Sequence, residues 1–270
     1  MKKSFFIGID SDGTAFNTME IKHKICFIPV MLEVWGELDR KKAAAQAEKI
    51  NLYSATRGIN RFSGLLLLFK NLQTEGFATP DYSPLEGFLN SGAELSNGGL
   101  IKYLGGAGDS FLQSVLLWSQ KADEKFKAET LRLKPFKYVE SALKKACPYA
   151  DIAVISSASY DSLRQSWTDG GIIRYVSHIM GQEQGSKAEQ LKKLAQGSYE
   201  PDKTLVLGDA PGDVKAAKTV NALFYPIFTN SEENSWKLFC DEILTKFLSC
   251  AYKGDCENRL LSDFSNMFIN

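Results

Sequence analysis

Two short acidic segments, each placed directly after a run of apolar residues, carry the strongest chemical signal in this sequence. The first is D-S-D-G-T at 10–14, and the second is G-D-A-P-G-D at 208–213. Two carboxylates 4 Å apart repel by about 4 kcal/mol at an effective dielectric near 20, so convergence of these groups requires a cation or shifted pKa values. Oxygen-only ligation favours a hard ion, and a site with few protein ligands favours Mg²⁺ over Ca²⁺. The candidate ligands are Asp10, Asp12, Asp209 and Asp213.

Candidate partners for an anion lie between the two acidic segments. Ser186 forms a capping-box pattern with Glu189, which predicts a helix that begins at Lys187. An ammonium at a helix N-terminus, beside unpaired amides, suits an anionic ligand. Ser156 ends an apolar run, where its hydroxyl and the Ser157 amide could bind a phosphoryl oxygen.

Four apolar runs predict the strands that position these residues. They are continuous rather than alternating, as expected for strands buried on both faces of a parallel sheet. The runs are "SFFIGID" at 4–10, "DIAVIS" at 151–156, "KTLVLGD" at 203–209 and "LFYPI" at 223–227. Helical patterns separate the last three runs, which predicts a doubly wound α/β domain with its ligand site at the carboxyl ends of the strands.

A long insertion separates the first two predicted strands. About 140 residues lie between them, whereas α/β connections usually have 2–6 residues. The insertion contains helical patterns, including "MLEVWGELDRKKAAAQAEKINLY" and the apolar face "GLLLLF" at 64–69. We therefore predict a discontinuous core of residues 1–16 and 131–270, and an inserted helical domain at 17–130. The apolar spacing of Trp236, Phe239, Ile243 and Phe247 predicts one more amphipathic helix, packed on the sheet or on the inserted domain.

The composition excludes several classes of protein. The formal net charge is zero, with 32 basic and 32 acidic residues, so no overall field favours nucleic acid or an anionic membrane. Five scattered cysteines and two histidines argue against a zinc site and a disulfide framework. No apolar run approaches the length of a membrane span. These features predict a cytoplasmic protein, a monomer or homodimer that binds neither nucleic acid nor membrane.

The order of the motifs resembles the haloacid dehalogenase (HAD) superfamily. D-x-D-G-T at 10–14, an apolar strand ending in Ser156, Lys187 and G-D-x-x-x-D at 208–213 occur in the order of that superfamily's four motifs. The first and last motifs together are specific evidence for the superfamily, whereas the serine and lysine motifs alone would be weak evidence. The resemblance implies a Rossmann-like core with a helical cap inserted after the first motif, and it covers about half of the chain.

The resemblance also implies roles for individual residues. Asp10 would be the nucleophile that forms an aspartyl-phosphate, and Asp12 would be the general acid and base. Ser156 and Lys187 would neutralise the phosphoryl oxygens, Thr14 would belong to the catalytic turn, and Mg²⁺ would bind Asp10, the Asp12 carbonyl, Asp209 and Asp213. Dehalogenases of the superfamily lack the second aspartate, so Asp12 favours P–O chemistry over C–halogen chemistry.

The inserted domain offers Arg57 and Arg61 in "YSATRGINRF" as candidate substrate-binding residues. Their spacing of four places them on one helical face if the helix continues through Gly58, where they could bind a second anionic group. Ion pairs with neighbouring acidic groups or simple solvation are the alternative for this pair.

The sequence therefore predicts a Mg²⁺-dependent phosphatase acting on a small phosphorylated metabolite. A sugar-phosphate phosphomutase is the alternative enzyme, since it would use the same core. A phosphonatase would need a Schiff-base lysine in the cap, such as Lys22, Lys24 or Lys70, and Asp12 argues against it. A non-catalytic binding domain is the alternative of a different class, but it would be expected to lose the first motif, which is intact here.

Overall fold

The protein divides into two compact units. The computed structural model describes residues 2–106, 108–129 and 133–268. One unit consists of Met1–Thr18 together with Arg132–Asn270, and the inserted unit is Met19–Leu131. The sequence-based boundary at 130/131 lies outside the described residues.

The secondary structure follows the chain as one strand, a helical insertion, and then alternating helices and strands. The first unit opens with β1 (Phe5–Ile9). The inserted unit contains a π-helical segment Ile21–Phe27, α1 (Ile28–Val34), α2 (Arg40–Leu52), α3 (Arg61–Thr74), α4 (Ser83–Asn90), α5 (Asn97–Leu104) and α6 (Ser110–Glu129). The first unit resumes with α7 (Val139–Ala146), β2 (Ala150–Ile155), α8 (Tyr160–Asp169), β3 (His178–Met180), α9 (Lys187–Leu194), β4 (Thr204–Gly208), α10 (Pro211–Thr219), β5 (Leu223–Pro226), α11 (Glu232–Leu238), a π-helical segment Phe239–Ile243, α12 (Leu244–Leu248) and α13 (Asp255–Asn266).

The five strands form one parallel sheet in the order β3-β2-β1-β4-β5. β1 occupies the centre, with Ile7 in register with Ile152 of β2 on one side and Leu205 of β4 on the other. All four predicted strands are confirmed. The sequence prediction missed β3 as a fifth strand, because it has only three residues and lies at a partly exposed edge, so it lacks a buried apolar run.

Successive side chains of a strand point to opposite faces of the sheet, and a separate hydrophobic cluster lies on each face. The strand sequences are apolar throughout because both faces are buried. Ile7 and Ile9 of β1 belong to a cluster that includes residues of α7, α8 and α11. Phe6, on the opposite face, packs in a second cluster with residues of α9, α10 and α13. Helices therefore cover both faces of the sheet, and the predicted Rossmann-like, doubly wound fold is confirmed.

The C-terminal helical segment packs on the sheet. Trp236, Phe239, Ile243 and Phe247 are all buried and belong to the same cluster as β1 residues Ile7 and Ile9. The predicted amphipathic helix is confirmed as a continuous helical run through α11, the π-helical segment and α12. Its apolar face completes one layer of the first unit.

The inserted unit has a separate aromatic core. Leu65, Leu68 and Phe69 of α3 are buried, which confirms that "GLLLLF" is a buried helical face. The helical pattern predicted from Met31 onward is interrupted, since α1 ends at Val34 and Asp39 caps a new helix by accepting a hydrogen bond from the Lys42 amide. Among the described residues, no helix combines the length and apolar character that crossing a membrane would require.

Candidate active site

The first acidic segment forms a tight turn at the carboxyl end of the central strand. The Asp10 amide donates to the Leu207 carbonyl at 3.0 Å, which extends the β1–β4 pairing to the first residue of the motif. The amides of Ala15 and Phe16 both donate to the Ser11 carbonyl, and this closes the turn. Gly13 has a φ of 77°, in the left-handed region that glycine adopts without strain. The turn places the Asp10 side chain at the rim of the sheet.

Three buried carboxylates meet at this rim. One oxygen from each of Asp10, Asp209 and Asp213 lies within 4.8 Å of the others. Asp10 follows β1 and Asp209 follows the neighbouring strand β4, while Asp213 lies in the first turn of α10. The cluster does not include the Asp12 carboxylate. Three of the four predicted carboxylates therefore lie together.

Lys187 is the cation of this cluster. Its Nζ lies 2.9 Å from an Asp10 oxygen and 2.5 Å from an Asp213 oxygen. The lysine is the first residue of α9, and the predicted capping box between Ser186 and Glu189 is confirmed. The start of α9 and the two ion pairs together fix the Lys187 ammonium beside the carboxylates.

Carboxyl groups outnumber the cation that pairs with them in this cluster. Three buried carboxyl groups lie together, and the Lys187 ammonium forms ion pairs with two of them, Asp10 and Asp213. Burial raises the pKa of the Asp10 carboxyl well above its usual range, the Lys187 ammonium opposes this rise, and Asp213 and Asp209 add to it. Burial also raises the pKa of the Asp213 carboxyl, and the Lys187 ammonium opposes that rise too. A divalent, oxygen-preferring cation would stabilise the ionised carboxylates, so the donor set fits Mg²⁺.

Two threonine hydroxyls hold the acidic side chains of the motifs. Thr14 Oγ1 donates to Asp209 Oδ1 at 2.7 Å, which joins the first acidic segment to the second. Thr18 Oγ1 donates to Asp12 Oδ1 at 2.6 Å, and this hydroxyl orients the Asp12 carboxylate. The sequence reasoning placed Thr14 in the site but missed Thr18, which lies outside the five-residue motif.

The serine motif is supported by a residue that the sequence reasoning also missed. Gln190, fully buried on α9, accepts a hydrogen bond from the Ser156 amide and donates to the carbonyls of Ser156, Gly181 and Gly185. Ser156 is buried and Ser157 is exposed. Gln190 lies three residues after Lys187, so both project from one face of the helix. That spacing is the signal in the sequence that could have identified it.

Replacing Gln190 with leucine is expected to destabilise the first unit. The change leaves buried carbonyls without their donor at a cost of about 1–3 kcal/mol for an orphaned group. We therefore expect the unfolding temperature to fall by several degrees. Gln165→Leu, the same change on the exposed face of α8, is the control for thermal unfolding. Equal behaviour of the two variants would contradict the role of Gln190.

The glycine of the second acidic segment is required by the approach of Asp213. A Cβ added at Gly208 would lie 2.5 Å from Asp213 Cγ, which is far inside van der Waals contact. Gly208→Ala is therefore expected to displace the Asp213 carboxylate and to weaken binding of a divalent cation at the cluster by about 10- to 100-fold, measured by titration of the protein with Mg²⁺. Gly212→Ala is the matched control, because a Cβ there meets nothing within 4 Å. Equal cation affinity in the two variants would contradict the requirement for glycine at position 208.

The predicted arginine pair does not share a helix. α2 ends at Leu52 and α3 begins at Arg61, so Arg57 lies in the intervening turn, buried, with Nη1 donating to the Leu52 carbonyl. Arg61 pairs with Asp123 at 2.6 Å and donates to Ser119. The expectation of one basic helical face is wrong, and Arg61 adopts the paired alternative. Neither arginine is carried into the proposed mechanism.

The fold and the cluster together define a doubly wound α/β protein with a carboxylate–lysine site at the carboxyl edge of its sheet. Comparison with family models gives a match to "haloacid dehalogenase-like hydrolase" over residues 93–225, just under half of the chain. The matched range contains Ser156, Lys187, Asp209 and Asp213 and ends before α11. A comparison with curated protein sequences found no significant match.

Two solved structures share the fold of the chain. A predicted phosphoglycolate phosphatase from Haemophilus somnus 129PT aligns with a TM-score of 0.56 at 14% identity, covering 91% of this chain and 99% of that one. A haloacid dehalogenase-like family hydrolase from Xanthomonas campestris aligns with a TM-score of 0.52 at 9% identity, covering 93% and 96%. The family match confirms the resemblance to the haloacid dehalogenase superfamily over residues 93–225, and the two solved structures show a shared fold.

Proposed function

We propose that this protein is a Mg²⁺-dependent phosphatase that hydrolyses a small phosphorylated metabolite through an aspartyl-phosphate on Asp10. The observation that carries the proposal is the buried cluster of Asp10, Asp209 and Asp213 with the Lys187 ammonium. The cluster offers an oxygen nucleophile, a set of carboxylate oxygens suited to a divalent cation and a fixed positive group within one small space. Phosphoryl transfer through an aspartyl-phosphate uses all three.

In the first step an Asp10 carboxylate oxygen attacks the phosphorus, and the bond from phosphorus to the leaving oxygen breaks. The Asp12 carboxyl gives its proton to that leaving oxygen, which departs as an alcohol. In the second step the Asp12 carboxylate takes a proton from water, and the water oxygen attacks the phosphorus. The Asp10–phosphorus bond breaks, inorganic phosphate leaves, and both side chains return to their starting states.

The donors on the protein have separate tasks in these steps. Lys187, the Ser156 hydroxyl and the Ser157 amide would stabilise the charge that develops on the phosphoryl oxygens. The Thr18 hydroxyl holds the Asp12 carboxylate, and the Thr14 hydroxyl holds Asp209. Asp10, the Asp12 carbonyl, Asp209 and Asp213 would hold Mg²⁺. When bound, the ion supplies positive charge against the phosphoryl group and neutralises the cluster.

The substrate is proposed to be a small phosphate monoester, and the inserted unit is proposed to act as a cap domain that contributes to its selection. One protein of the same fold is described as a predicted phosphoglycolate phosphatase, which makes 2-phosphoglycolate a reasonable member of a substrate panel. Five free cysteines agree with the predicted location in a reducing cytoplasm.

The test is a phosphate-release screen across sugar, nucleotide and amino-acid phosphates and 2-phosphoglycolate, with Mg²⁺ and with excess chelator. We expect release of inorganic phosphate from at least one member with Mg²⁺ and none with chelator. An isomerised sugar phosphate without release would support the phosphomutase instead. Chloride release from a 2-haloacid would indicate a dehalogenase, and absence of turnover across the panel and the haloacid would favour a binding domain.

A further inference from the structure

A tryptophan of the C-terminal helices contacts the catalytic turn from the core side. Trp236 Nε1 donates a hydrogen bond of 2.7 Å to the Thr14 carbonyl, across 222 residues of sequence. The indole is completely buried. Trp236 lies on α11, and both it and Thr14 lie outside the residues that match the family model.

The bond reaches the acid cluster through a single residue. Thr14 accepts from the indole with its carbonyl oxygen and donates to Asp209 with its hydroxyl, both at 2.7 Å. Within the described residues, no other donor reaches the Thr14 carbonyl. Loss of the indole N–H would leave this buried carbonyl unpaired, and the turn would relax toward another donor or toward water.

Other hydrogen bonds fix the position of the tryptophan itself. The adjacent Ser235 accepts a bond from the Tyr225 hydroxyl at its carbonyl and from the Phe228 amide at its hydroxyl. These bonds tie the middle of α11 to β5 and to the residues that follow it. The Trp236 ring also meets the edge of Phe239 with centroids 5.7 Å apart. The indole donor is therefore held rigidly relative to the sheet.

We infer that Trp236 is a positioning residue. Its bond to the Thr14 carbonyl fixes the position of the turn at Thr14, and through the Thr14 hydroxyl it fixes the orientation of the Asp209 carboxylate in the cation site. The inference rests on the proposed function for its kinetic consequences. Its effect on cation binding depends only on the geometry of the turn and the cluster. Partners that orient metal ligands commonly alter metal affinity by 10- to 100-fold when removed.

The test is Trp236→Phe, which keeps a buried aromatic ring and removes the N–H donor. Trp118→Phe is the matched control, because Trp118 is also buried and its Nε1 donates to a backbone carbonyl, that of Phe27, within the inserted unit. Mn²⁺ binding is measured for both variants and the unsubstituted protein by electron paramagnetic resonance. Thermal unfolding and the kinetics of p-nitrophenyl phosphate hydrolysis at varied Mg²⁺ complete the comparison.

We expect both variants to lose thermal stability, and only Trp236→Phe to bind Mn²⁺ about tenfold more weakly and to need correspondingly more Mg²⁺ for turnover. At saturating Mg²⁺ the KM for p-nitrophenyl phosphate should remain close to that of the unsubstituted protein. Unchanged Mn²⁺ affinity in Trp236→Phe would overturn the inference. An unsubstituted protein that binds Mn²⁺ but lacks phosphatase activity would contradict the proposed function and leave this comparison intact.

If Trp236→Phe does not fold, the inference can be tested by NMR on the unsubstituted protein. The indole N–H resonances are assigned from Phe variants of the other three tryptophans, and that of Trp236 follows by elimination. Titration with Mg²⁺ should shift the Trp236 resonance and leave the Trp118 resonance in place. An unmoved Trp236 resonance at saturating Mg²⁺ would overturn the inference.

Discussion

Asp10→Asn is expected to abolish turnover while the fold is retained. The amide has no charged oxygen to attack phosphorus, and loss of an enzyme's nucleophile commonly lowers kcat by about 10³-fold or more. The same change removes one of three neighbouring buried carboxylates that repel one another, so we expect the metal-free variant to unfold at the same or a higher temperature. Steady-state kinetics and thermal unfolding measure the two effects.

Asp263→Asn, an exposed aspartate on α13, is the control for this substitution. Brief reaction of the unsubstituted protein with substrate should also leave a phosphoryl group on the peptide that contains Asp10, and hydroxylamine should remove it. Normal turnover in Asp10→Asn, or a phosphoryl group on a different residue, would rule out the nucleophile proposed here.

Lys187→Met is also expected to have a large effect, lowering both the free energy of unfolding and the activity. Removing one partner of a buried ion pair costs about 3–5 kcal/mol, because the remaining charges lose their compensation. Here Asp10 and Asp213 would both lose the ammonium with which they form ion pairs. We also expect kcat to fall by about 10²- to 10³-fold, the range for loss of a group that stabilises developing charge. Chemical unfolding and kinetics test both expectations.

The stability loss in Lys187→Met should depend on pH in a defined direction. Burial alone would lower the pKa of the Lys187 ammonium, but attraction to Asp10 and Asp213 outweighs burial and raises that pKa, so the ammonium stays charged at neutral pH. Without the ammonium, the already raised pKa values of Asp10 and Asp213 rise further. Such carboxyls take up protons in the folded state before they do in the unfolded state, so lowering the pH from 8 to about 5 should reduce the deficit in unfolding free energy.

Lys192→Met is the matched control, because Lys192 is exposed on the same helix. Added Mg²⁺ should stabilise Lys187→Met more than it stabilises the unsubstituted protein, since the cation replaces part of the lost charge. A Lys187→Met variant as stable as Lys192→Met at neutral pH would contradict the ion pairing described for the cluster.

Local sequence patterns predicted the parts of this protein that depend on neighbouring residues. Continuous apolar runs predicted four of the five strands, and the capping box predicted the start of α9 at Lys187. The motif glycines also follow from local geometry, since Gly13 adopts a left-handed φ. Because parallel strands end at one edge of a sheet, the meeting of Asp10 and Asp209 could be expected before any coordinates.

Contacts between distant residues could not be predicted in this way. Nothing in the sequence links Trp236 to Thr14, because the bond depends on how α11 packs against the core. The spacing of Gln190 from Lys187 could have placed it on the face of α9 that carries the lysine, but its partners Gly181 and Gly185 depend on the path of the loop after β3. The prediction that Arg57 and Arg61 share a helical face was wrong for a related reason. It required one helix to continue through Gly58, whereas a turn separates α2 from α3.

The central claim is that Asp10, Asp209 and Asp213 form one site for a divalent cation. Mn²⁺ titration by electron paramagnetic resonance, on the unsubstituted protein and on Asp209→Asn, tests it most directly. We predict saturable binding at a single site that Mg²⁺ displaces, and an affinity reduced at least about tenfold in Asp209→Asn. Equal Mn²⁺ affinity in the two proteins, or no saturable binding to the unsubstituted protein, would contradict the account.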